Sequence, residues 1–347
     1  MSRNSGDSGD SGNSGNSGNS RNSGNSRNSR DSGNGGNSYA RRRPGRRTAV
    51  ATGLVLALGL GVSTQAVAQA PAPVSAFTST STSAKASAMA SAPVRSITGF
   101  NGDTVTEVAD FYGAYIDAKD APRGPDKALA KALRAHYLTP AFARKLTAWE
   151  KKHKVDGLLR AKNVPTRWKV SGGRKGLEVV VTLTFGGAGE SPTTKTRFVV
   201  EQDLIDGIKS IRTTSTAPEK ASAAVRSVSG RTGDSVTQVA DFYGAYVDAK
   251  EAYPRPDKAL AKALRAHYLT PTLAKKVTAW EKKHKMDGVL RARNVPVDWT
   301  VTGDGESREI AVTHSFGGGE SPTTTTHLAL KADAFNGITD IRTTKAH

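Results

Sequence analysis

The chain has no cysteine in 347 residues. That absence excludes disulfides, thiolate metal sites, iron–sulfur clusters and a cysteine nucleophile. Aromatic residues make up only 6% of the chain. Acidic residues are scarce as well: 31 Asp and Glu stand against 50 Lys and Arg, for a formal charge of +19. Such an excess bears on solubility and on anionic partners, not on fold. No GxSxG elbow, Walker sequence or dinucleotide fingerprint occurs, so the common hydrolase and nucleotide motifs are missing.

What is there falls into distinct stretches. Residues 1–40 are Ser, Gly and Asn with scattered Arg and Asp, and hold no Val, Ile, Leu or Phe. Nothing in them repays the entropy of ordering, which predicts disorder. Residues 41–68 have the order of a secretory signal. A block of five arginines is followed by an apolar run over 49–61 and then by Ala66-Val67-Ala68. Cleavage is expected after Ala68. The run is about 13 residues, short of the roughly 20 that span a bilayer, so no transmembrane helix is expected in the mature form. Residues 69–93 are Ala, Ser, Thr and Pro, a flexible leader. Secretion is the localisation expected.

The remainder is one module written twice, as 94–214 and 225–347, joined by a linker at 215–224. Residues 125–140 read PDKALAKALRAHYLTP, and all 16 recur at 256–271. The period of 131 residues is too long for a solenoid repeat. Each copy is long enough to bury its own core. Val105, Val108, Tyr112, Tyr115 and Ile116 recur at helical spacing. Leu129, Leu133, His136 and Tyr137 form a second stripe, and Phe142, Leu146 and Trp149 a third, ended by Asp156-Gly157. Val179, Val181, Leu183 and Phe185 then alternate with polar or outward positions at period two. Helices followed by antiparallel strands predict an α+β fold, three helices covering one face of a curled sheet in each copy.

The helix carrying Phe111-Tyr112-Gly113-Ala114-Tyr115, the Tyr-Leu-Thr-Pro boundary and the closing Ile-x-x-Ile strand resemble the nuclear-transport-factor-like, or cystatin-like, superfamily. Asp156-Gly157-Leu158-Leu159-Arg160-Ala161 with Asn163 is similar to a segment of its small secreted bacterial members. The whole module also resembles secreted proteins of Gram-positive actinobacteria. The resemblance implies a sheet curled around helices, often with a conical pocket, in isomerases, dehydratases and binding modules alike. Fold therefore leaves function open. The last strand lacks the aromatic residue often found there in the superfamily.

Pocket candidates are Tyr112, Tyr115 and Trp149, with Tyr243, Tyr246 and Trp280 in the second copy. His314 joins them, because it stands where the first copy has Leu183. An acid–base site would pair a carboxylate such as Asp110 or Asp241 with a tyrosine or histidine. Asp110 reads more simply as a solvated helix charge, and no catalytic residue is assigned. His136 and His153 are 17 apart with no partner one helical turn away, so neither a metal nor a cofactor is expected.

Charge is the strongest signal. Residues 126–169 hold 12 basic and 3 acidic residues, and the matching 257–300 hold 10 and 4. The cations singled out are Arg134, Arg144, Lys145, Lys151, Lys152, Lys154, Arg160 and Lys162. Their second-copy counterparts are Arg265, Lys275, Lys276, Lys282, Lys283, Lys285, Arg291 and Arg293. One reading is a solvated face. The sharper one is a non-enzymatic module that binds an anionic cell-wall polymer or another extracellular polyanion, with two copies adding avidity. No interleaving of basic and aromatic residues points to sequence-specific nucleic acid. A pocket enzyme of isomerase or hydrolase type, and an inhibitor that takes a small ligand or a protein partner, are the alternatives.

Overall fold

The computed structural model describes residues 94–172, 177–186, 193–203, 207–215, 226–304, 308–318, 321–334 and 337–345. The readings of 1–40, 41–68 and 69–93, most of the 215–224 linker and the glycine-rich turn at 187–189 lie outside the described residues.

Each half opens with a strand that a helix-first reading omits. β1 (Arg95–Phe100) turns directly into α1 (Thr104–Lys119). Asp103 caps α1, its carboxylate accepting from the Thr106 N–H at 2.9 Å. Asp126 caps α2 (Lys127–Tyr137) through the Ala128 and Leu129 N–H groups. Thr139 caps α3 (Pro140–His153), with Pro140 in the first turn where its missing N–H costs nothing. This helix ends sooner than Asp156-Gly157 implies. Lys154 takes the left-handed conformation at φ 57° and its N–H closes on the Glu150 carbonyl at 2.8 Å.

Strands β2 (Arg167–Gly172), β3 (Glu178–Phe185), β4 (Thr194–Asp203) and β5 (Gly207–Thr214) complete the first half. The second half runs β6 (Ser227–Arg231), α4 (Ser235–Glu251), α5 (Lys258–Tyr268), α6 (Pro271–His284), β7 (Asp298–Gly303), β8 (Glu309–Gly318), β9 (Ser321–Ala332) and β10 (Ile338–Thr344). The fold is α+β, with six helices and two antiparallel sheets among the described residues. In β3 the alternation is as predicted: Val179, Val181 and Leu183 are buried, while Val180, Thr182 and Thr184 are half-buried.

The sheets exchange strands. Their orders are β5-β4-β3-β2-β6 and β1-β7-β8-β9-β10. Ile97 of β1 lies opposite Val301 of β7, and Val228 of β6 opposite Val170 of β2. Each sheet therefore takes one edge strand from the other half. The expectation that each copy buries its own core gives way to one shared core.

The first helix explains why. An amphipathic surface helix buries one stripe. In α1, 13 of 16 residues are buried, because one side meets the sheet and the other meets α4. A Cβ on Gly113 would lie 2.1 Å from Asp241 Oδ1, and one on Gly244 the same distance from Asp110 Oδ1. The two glycines thus admit the two carboxylates. Asp110 is 3% exposed, which corrects its reading as a solvated charge.

Hydrogen bonds across the halves are reciprocal. Tyr137 donates its hydroxyl to Asp248 at 2.6 Å and Tyr268 to Asp117 at 2.7 Å. His136 Nδ1 lies 3.1 Å from Asp257 Oδ2, and His267 Nδ1 lies 3.1 Å from Asp126 Oδ2. Residue-for-residue reciprocity of this kind is the signature of a twofold interface, here within one chain.

Candidate functional site: two basic clefts

The described part of each half has a cleft beside its helices. In the first half, α1, α2, α3 and the segment after α3 enclose about 650 Å³. In the second half the corresponding cleft is about 440 Å³. Both volumes fall in the range of small-molecule sites.

The floor of the first cleft is a closed polar network. Asp156 accepts from the Leu158 and Leu159 N–H groups and from the Tyr115 hydroxyl at 2.8 Å. Lys119 Nζ adds an ion pair to it at 3.0 Å. Arg134 donates to the Tyr115 hydroxyl at 2.7 Å and clasps Glu150 through two nitrogens at 2.5 and 2.9 Å. Glu150 in turn accepts from the Gly157 N–H. Arg265, Tyr246, Glu281, Asp287 and Lys250 repeat the arrangement.

Electrostatics fix the protonation states. Burial alone raises the Asp156 pKa, but the Leu159 N–H, the Tyr115 hydroxyl and Lys119 outweigh it and leave the carboxyl below its ordinary value. Burial, then the charge of Asp156, pushes the Tyr115 phenol far above its ordinary value. A carboxylate that stays ionised beside a phenol that stays protonated holds a shape; neither is poised to move a proton near neutral pH.

The sequence candidates separate into two groups. Arg134 and Arg265 are spent on the network. Arg160 and Arg291 stack on Trp149 and Trp280, their guanidinium carbons 3.8 and 4.2 Å from the ring centroids. His153 and His284 stack on the same two rings. Arg144, Lys145, Lys151, Lys152, Lys154 and Lys162 are exposed, as are Lys275, Lys276, Lys282, Lys283, Lys285 and Arg293. Among the described residues none of these twelve makes an ion pair.

Of the pocket candidates, only Tyr115 lines a cleft. Tyr112, Tyr243 and Tyr246 are buried in the core, and Trp149 and Trp280 are half-buried outside both clefts. Asp110 and Asp241 line neither cleft, so no acid–base pair assembles around them. Lys119, Lys127 and Lys131 belong to the first cleft and were not singled out from sequence. The signal was present: Lys127, Lys131 and Arg134 share one helical face.

His314 is 0% exposed, in contact with the Tyr243 ring, and neither ring nitrogen makes a well-formed hydrogen bond. Burial pulls its pKa down to about 4, against a weaker opposing effect of the Leu290 backbone. A base whose pKa falls on folding supports the fold above its unfolded value and loses that support as pH drops. Between about pH 6.5 and 4 this residue removes up to about 3 kcal/mol. His314→Leu restores the residue of the first half and is expected to raise stability by about 1–3 kcal/mol at neutral pH. Its advantage grows on acidification. Urea unfolding at neutral and mildly acid pH checks this; a variant less stable than the parent at both would refute it.

No protein-family model matches the chain, and no curated protein matches it. Among solved structures, a protein of unknown function from Bacteroides thetaiotaomicron matches at 19% identity, over 31% of this chain and 88% of that one, with a TM-score of 0.28. A score that low carries no inference about fold or function.

Proposed function

We propose that the protein is a secreted, non-enzymatic binding protein whose basic helices hold it to an anionic polymer of the cell envelope. One observation carries this reading. The lysines and arginines of α3 and α6 are exposed and uncompensated, while the other singled-out arginines are consumed inside the protein. Exposed cations without partners keep their full charge available to an anion.

Two basic helices on one body then act as a bivalent surface. Bivalency raises retention without any new contact. The signal-like 41–68 segment supports export. Among the described residues no helix is long and apolar enough to cross a membrane. We also read the two halves as tandem copies of one module, of the nuclear-transport-factor-like type that the sequence resembles. The acid–base alternative has less behind it, since Asp110 and Asp241 lie between helices and away from the clefts.

Cosedimentation with isolated cell envelopes tests the proposal. Retention is expected at low salt and is lost as salt rises, because binding releases counterions. Changing Lys151, Lys152, Lys154, Lys282, Lys283 and Lys285 together to glutamine is expected to weaken retention by about tenfold or more. No retention at low salt, or retention indifferent to these changes, would overturn it.

A further inference from the structure

The two clefts are built alike and charged differently. Each has one lysine bound to its floor aspartate, Lys119 to Asp156 and Lys250 to Asp287. In each, the floor glutamate is clasped by an arginine. Once those pairs are set aside, Lys127, Lys131, Lys154 and Lys162 remain around the first cleft. Only Lys285 and Arg293 remain around the second. The first cleft is therefore the more cationic as well as the larger.

Its walls differ in character. Val155, Leu159 and Val164 make an apolar wall, and the floor offers the carboxylate oxygens of Asp156 and Glu150 as acceptors. A bare inorganic anion would use the lysines alone. An anion with a hydroxylated carbon body would use all three: lysines for the charge, floor oxygens for hydroxyl donors, and the apolar wall for C–H surface. A nucleotide finds no stacking platform, because the one aromatic residue of the lining, Tyr115, is 1% exposed.

We infer that the cleft of the first half is a binding site for a phosphorylated polyol, taking one or two repeating units of a polyol-phosphate chain. This rests on the polymer-binding reading and adds to it a site with shape. The helical lysines provide attraction at a distance; the cleft selects the chemistry. The second cleft, with half the uncompensated charge, is the weaker of the pair.

Calorimetric titration of the full-length chain with a short glycerol-phosphate oligomer tests this. One dominant site is expected. Changing Lys127, Lys131 and Lys162 to glutamine should weaken it by about tenfold or more, with the melting temperature unchanged, since all three are exposed. Changing Lys285 and Arg293 to glutamine should weaken it by less than about threefold. Glycerol 3-phosphate should compete and inorganic phosphate should compete more weakly. Phosphatidylglycerol vesicles separate a lipid headgroup from a free chain: binding to vesicles that the three lysine changes abolish supports the same chemistry in a membrane source.

Two results would overturn the inference. One is envelope retention with no binding of the oligomer, which leaves the helical surface standing and removes the cleft. The other is tighter binding of a short oligothymidylate than of the glycerol-phosphate oligomer, which would make the site one for nucleic acid. Loss of both envelope retention and oligomer binding in the parent protein would end the broader proposal as well.

Discussion

A fragment comprising residues 94–214 alone is expected to form a dimer and no folded monomer. In the intact chain the outer edge of β2 is paired by β6, and β1 is committed to β7. The fragment retains β1 but loses the strand that covers β2. It also exposes the face of α1 that carries Asp110, Gly113 and Asp117, which α4 covers in the whole protein. An open sheet edge and a bare helix face are both strong drives to association. A second fragment supplies both missing parts, because β1 and β6 are near copies and so are α1 and α4. Sedimentation equilibrium at micromolar concentration would show the dimer, with circular dichroism lost on dilution. A fragment that stays monomeric and cooperatively folded would refute the shared core.

Replacing both Asp110 and Asp241 with asparagine is expected to stabilise the protein at neutral and alkaline pH. Burial raises the Asp110 pKa most, followed by the charge of Asp248; burial and then Asp117 do the same for Asp241. Asp110 Oδ2 and Asp241 Oδ2 have no hydrogen-bond partner to offset that cost. An acid whose pKa rises on folding leaves stability intact below its unfolded value. Stability is then lost as pH climbs towards the folded value, at about 1.4 kcal/mol per pH unit for each group. Asp117 acts in the same direction, its pKa pushed up to about 7 chiefly by burial. Asparagine keeps the shape of the neutral acid and removes the penalty. The double variant should match the parent near pH 4 and exceed it by several kcal/mol near pH 8, at roughly the slope just given. Denaturant unfolding across that span measures it. His314 contributes equally to parent and variant, so the difference isolates the carboxylates. A variant less stable than the parent near pH 8 would refute the account.

Much of the fold is legible in the residues. Asp103, Asp126 and Thr139-Pro140 mark three helix starts, and the period-two pattern of β3 marks its buried face. The exposed cations of α3 and α6 follow from composition and spacing. Three things were hidden, each for a physical reason. The strand β1 has only Ile97 and Gly99 facing inward, too short a pattern to register. The exchange of strands is degenerate in sequence: β1 and β6 are so alike that either could pair with β2, and packing between the helices decides. The burial of Asp110 depends on Gly244, a residue 134 positions away that makes room for it. Likewise Arg134 is indistinguishable from its exposed neighbours until α3 brings Glu150 beside it.

The exchange of edge strands has one more consequence. In an assembly of two identical chains every substitution is made twice, and a change harmful at one position is harmful at both. This chain is free of that rule, because its two halves are written separately yet cannot come apart. Leu183 and His314 occupy matching places, and so do the two clefts with their unequal charge. One half can keep the packing that holds the body together while the other drifts. Asymmetry of function within a symmetric frame is what the covalent join permits.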